Sequence, residues 1–129
     1  MAAQRRGRNR QFGAAVIAAL VMYVVLGSGT ATATPPSVTV TDLGTRGGTF
    51  SRAVAVNGNG QVVGESYTAG DAATHAFSWM QRGGIVDLGT LGGTFSAASA
   101  VNGSGQVVGE SYPAGNAATH AVLWQVTNR

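Results

Sequence analysis

The chain has 129 residues, with eight Lys+Arg against five Asp+Glu, a formal net charge of +3 and no cysteine. That length allows one small domain behind a leader, and the missing cysteines remove disulfides and thiolate metal sites. The positive charge belongs to Arg5, Arg6, Arg8 and Arg10: from Thr34 onward four arginines face five carboxylates, which leaves −1 and no basic run, so nucleic-acid binding loses its electrostatic basis.

In chain order, the arginine-rich start precedes an uncharged, mostly apolar run of 15 residues from Gly13 to Gly27. A membrane-spanning helix needs about 20 apolar residues. A small-residue stretch follows, and Ala31-Thr32-Ala33 fits a small-x-small cleavage site. Residues 1–33 are predicted to be a signal peptide cleaved after Ala33, which makes the protein secreted or cell-surface. An uncleaved leader would be its membrane attachment. Arg5-Arg6 opens like a twin-arginine signal, but the residues after the pair fit that signal poorly. Residues 34–36 are a short linker. The 96 residues from Thr34 onward contain no lysine and much Ala and Gly, a composition that fits a GC-rich bacterial genome.

The rest is a repeat with a 45-residue period. Thirty of the 38 positions from Asp42 to Trp79 recur between Asp87 and Trp124. A repeat of that length is one supersecondary unit that cannot bury its own apolar face. Module 1 spans 37–80 and module 2 spans 81–129. Each carries four short β-branched or aromatic runs bounded by turn residues, the signature of strands. The predicted strands are 38–43, 53–56, 61–66 and 75–79, then 85–88, 98–101, 106–111 and 120–124. Gly47-Gly48 and Gly92-Gly93 break the chain after the first strand of each set. Asn57-Gly58-Asn59-Gly60 and Asn102-Gly103-Ser104-Gly105 supply the positive φ that tight turns need. By strand alternation Ala53 and Ala55 share one face, as do Ala98 and Ala100, and their small size suits close packing. The expected fold is all-β: two four-stranded antiparallel meanders resembling β-propeller blades, behind a helical signal peptide.

Residues able to carry chemistry occur in both copies. Asp42, Ser51 and His75, with Asp87, Ser96 and His120, make a Ser-His-acid set in composition. A triad is recognised by geometry, however, and no Gly-x-Ser-x-Gly elbow is present. The two histidines lie 45 residues apart, far from the close spacing of a structural zinc site, and no calcium loop occurs. No catalytic residue, metal or cofactor is assigned. The glycines from Gly58 to Gly64 miss the dinucleotide fingerprint and precede a strand. For ligand binding the candidates are Tyr67 beside Glu65, Tyr112 beside Glu110, and the recurring Trp79 and Trp124. Aromatic and carboxylate groups repeated in this way suit a multivalent surface for a carbohydrate or a surface protein. For the tryptophans the commoner role is core packing.

Asp-Leu-Gly-Thr-x-Gly-Gly-Thr, then Ala-x-Ala-Val-Asn-Gly-x-Gly-Gln-Val-Val-Gly, then His-Ala-Phe-x-Trp resembles the HAF repeat family of probable extracellular proteins. The triplet stands as His75-Ala76-Phe77 in the first copy and departs to His120-Ala121-Val122 in the second. The resemblance implies export and a repetitive β architecture, and no catalytic residues. The expected function is a non-catalytic binding or structural module. Two alternatives stay open: a secreted hydrolase with a His/Ser/acid site, and a fragment of a longer repeat array. Two modules with open edges invite assembly of two or three chains into a ring of four or six blades.

Overall fold

The computed structural model describes residues 32–127. The chain divides after Val40 into two units, and the described residues of the first, 32–40, carry neither helix nor strand. The second unit is all-β. Its strands are β1 Gly47–Val56, β2 Val62–Thr68, β3 Thr74–Met80, β4 Gly84–Gly89, β5 Gly92–Val101, β6 Gln106–Pro113 and β7 His120–Gln125, with a single 3-10 turn at Ala69–Asp71.

Strands β1 to β4 form an antiparallel meander, as do β5 to β7. One parallel bridge, Thr74 to Phe95, joins β3 to β5, giving the order β1-β2-β3-β5-β6-β7 with β4 branching from β3. The four-stranded group therefore takes its last strand from residues that open the second sequence copy. The second group has three strands among the described residues, where the sequence predicted four. The strand predicted over 38–43 does not form, and Val38 and Val40 are 85% and 88% exposed. Its sequence counterpart is β4, which is a strand because β3 lies beside it. Apolar alternation supplies a strand's faces, and a neighbour must still take up its backbone groups.

The other seven predicted strands all form. Gly47 and Gly92, expected to break the chain, instead open β1 and β5 at φ +108° and +117°. Gly64 lies under the β1 backbone, where a Cβ would run into the Arg52 carbonyl oxygen, and Gly109 stands the same way against Ala97. That close approach accompanies a register shift between Ala53 and Ala55, and another between Ala98 and Ala100. An extra residue at a bulge flips the faces after it. Strand alternation therefore fails for the alanine pairs: Ala98 is buried and Ala55 packs on the core, while Ala53 and Ala100 are exposed. The core joins the two groups through Val63 of β2, Ala76 of β3, Ala98 of β5 and Val107 of β6, with Leu88 and Trp124 packed against it. Neither group encloses this core alone. The signal peptide expected over 1–33 lies almost wholly outside the described residues.

Candidate functional site

The densest polar arrangement lies where β3, β4 and β5 meet. His75, on β3, directs Nδ1 at both carboxylate oxygens of Asp87 on β4, at 3.0 and 2.9 Å. Asp87 Oδ1 also accepts the Gly89 amide at 2.7 Å, a short turn that fixes the carboxylate. The Arg46 guanidinium approaches the same carboxylate, with Nε 3.8 Å from Oδ2. Next to His75, the Ala76 amide donates to Ser96 Oγ at 2.8 Å, and that hydroxyl donates to the Gly89 carbonyl at 2.8 Å. Ser96 is fully buried, and its side chain is the polar pin that locks β5 onto the ends of β3 and β4.

The turns form a second polar joint. Asn57 Oδ1 accepts the amides of Asn59 and Gln61 and shapes the first turn. Its Nδ2 donates to the Asn102 carbonyl at 2.8 Å, and Asn59 Nδ2 reaches the Gly103 carbonyl at 2.9 Å. The link between β2 and β3 is latched onto β1 by Asp71, whose oxygens accept the Thr49 amide and hydroxyl, both at 2.8 Å. In the second copy Asn116 accepts the Thr94 amide at 2.9 Å. Both latch residues sit at positive φ, which Asp and Asn tolerate better than most residues.

The structure separates the set Asp42, Ser51 and His75. Asp42 accepts the Gly44 amide, Ser51 donates to the Gly44 carbonyl, and His75 turns to Asp87. The histidine and acid that do meet are 12 residues apart in sequence and come from different copies. The signal was the recurring Asp-Leu-Gly triplet, which the sequence grouped with the histidine after it instead of the one before it. No group of three His, Cys, Asp or Glu side chains that could hold a metal occurs among the described residues.

The aromatic candidates occupy three settings. Tyr67 and Tyr112 pack in a tilted arrangement against Phe50 and Phe95, with ring centroids 5.0 and 4.9 Å apart. Glu65 is paired with Arg52 at 3.0 Å. Glu110 faces Ala97 in register, is exposed and has no ion-pair partner among the described residues. The two Tyr-Glu pairs are therefore chemically unequal. Trp124 packs against the core, and Trp79 is half-buried opposite Val62 and Ile85. Two clefts stand out. One of about 440 Å³ lies at the β3–β4 hairpin and is lined by Met80, Val86 and Val126 among others. The other, about 450 Å³, runs between residues 88–91 and β7 and is lined by Leu88, Leu91, Val122, Leu123 and Trp124 with the polar Thr90 and Ser111. Sequence reasoning missed this second cleft, apart from Trp124. Comparison with family models, curated proteins and solved structures returned no match for the chain.

Proposed function

We propose that this is a secreted or cell-surface repeat protein of the HAF type, a non-catalytic structural or binding module built from propeller-like blades. One observation carries the reading: the residues that could do chemistry where the two copies meet are already occupied in holding strands together. His75 and Asp87 bond to each other, and Ser96 both accepts and donates across three strands. A nucleophile so held has no free hydrogen to give a base and no access to a substrate. The test is His75→Gln in the full chain, assayed for stability and for hydrolysis of ester, peptide and glycoside substrates. The expected result is lowered stability with no hydrolysis to lose. A hydrolytic activity of the parent chain that disappears in the variant at unchanged stability would overturn the reading.

For binding, the face bearing Tyr112 and Glu110 is favoured over its first-copy counterpart, because no arginine among the described residues takes up Glu110. A carbohydrate or a surface protein suits an aromatic ring beside a free carboxylate.

A further inference from the structure

Residues 38–44 and strand β7 carry complementary halves of the chain's internal joint. Within the chain, β3 accepts β4 in a fixed register, with Trp79 opposite Ile85, Ser78 opposite Val86 and Ala76 opposite Gly89. Moving each β3 residue forward by the 45-residue period gives β7, and moving each β4 residue back gives residues 39–44. Strand β7 pairs only with β6 among the described residues. The cleft of about 450 Å³, lined by Val122, Leu123 and Trp124 together with Thr90 and Ser111, lies along the edge that corresponds to the β4-bearing edge of β3. Residues 38–44 form no strand and expose Val38 and Val40. Their end is nonetheless already shaped like that of β4. Asp42 accepts the Gly44 amide at 3.0 Å, as Asp87 accepts that of Gly89, and Ser51 donates to the Gly44 carbonyl at 2.8 Å, as Ser96 does to that of Gly89.

The geometry points to strand donation between copies: residues 38–44 of one chain pair along β7 of a second chain, in the register of β4 on β3. Asp42 then meets His120 of the other copy as Asp87 meets His75. Ser51 Oγ receives the Ala121 amide as Ser96 receives that of Ala76. Val40 and Leu43 enter the cleft. The two His-Asp pairs differ in one respect, since Leu91 stands where Arg46 does, so the pair between chains has no second cation. Ser51 holds Gly44 beside β1, the strand at the other end of the order from β7. Donor and acceptor surfaces differ, which makes the contact heterologous and builds rings or open arrays. The proposal rests on the modular reading above, but its test does not involve the His75 assay and can fail while that reading stands.

The chain has no cysteine, so introduced thiols report alone. Full-length Thr41→Cys and Leu123→Cys chains, tagged differently, are co-expressed and oxidised. Both sites are exposed and not part of the core. The expected product is a disulfide between the two differently tagged chains, with roughly tenfold less from Val40→Cys with Leu123→Cys, because a one-residue slip turns the side chain to the other face. Light scattering of the parent chain should give a multiple of the chain mass that falls in Asp42→Lys. No inter-chain disulfide in the first pair would overturn the proposal. So would a Thr41→Cys/Leu123→Cys double variant that closes only within one chain, or a parent chain of single-chain mass at micromolar concentration.

Discussion

Strands β3 and β7 start from nearly the same sequence, His-Ala-Phe-Ser-Trp and His-Ala-Val-Leu-Trp, and end in different environments. Ala76, Phe77 and Ser78 are 0%, 1% and 2% exposed. Their counterparts Ala121 and Leu123 are exposed, the latter at 59%, and Val122 is half-buried. The same contrast runs through the neighbouring strands, with Val63 at 0% and Val108 at 45%, and Ser96 at 0% while Ser51 is half-buried. Residue type does not explain it, because Val63 and Val108, Ser51 and Ser96, and Ala76 and Ala121 are identical pairs. What differs is the neighbour: β3 has β4 and β5 against it, and β7 has neither. In a repeat protein the stabilising term is the interface between units as much as the unit itself.

Substitutions made in parallel in the two copies break or sharpen this contrast. The largest effect is expected at Phe77. Truncation to Ala removes a fully buried ring and should cost about 3–5 kcal/mol, against roughly 1 kcal/mol for Val122→Ala at its half-buried place. Urea denaturation of both variants measures the gap. Next comes Ser96→Ala, which leaves the Ala76 amide and the Gly89 carbonyl without their partner and should cost about 1–3 kcal/mol. Ser51→Ala removes one bond at a half-buried site, about 0.5–1 kcal/mol. A thermal melt of the dilute, unassembled chain that ranks the two serines equally would deny that the joint sets their worth. The smallest effect belongs to Arg52→Ala. Its pair with Glu65 is on the surface, with the arginine side chain 61% exposed, and its loss should change stability by less than about 1 kcal/mol.

The strands and turns were legible in the sequence because the signals are local. Seven short runs become strands, and Gly60 and Gly105 take the positive φ that their turns implied. The phase of the repeat was not legible. A period of 45 residues has no intrinsic start, so Asp87-Leu88-Gly89 reads equally well as the opening of the second unit or the closing strand of the first. Backbone pairing decides it, and pairing is a long-range property that local pattern does not encode. The same ambiguity reaches the site: by sequence phase Asp87 groups with His120, whereas its partner is His75. Gly47 resembles a break in sequence because glycine interrupts strands, yet at φ +108° it lets β1 begin beside the link at Ala69. The bulges after Ala53 and Ala98 were likewise invisible, since Gly64 and Gly109 reveal them only when the neighbouring backbone is present.

Amide exchange at two alanines tests the central claim most directly. The Ala76 amide is donated to a buried hydroxyl across the joint, while the Ala121 amide occupies the equivalent place on the uncovered edge of β7. Hydrogen–deuterium exchange at these two sites, followed as the protein is diluted, should find Ala76 slow throughout. Ala121 should exchange fast when dilute and slow down as concentration rises and a second copy covers the edge. Equal protection of the two amides at the lowest concentration would contradict the account.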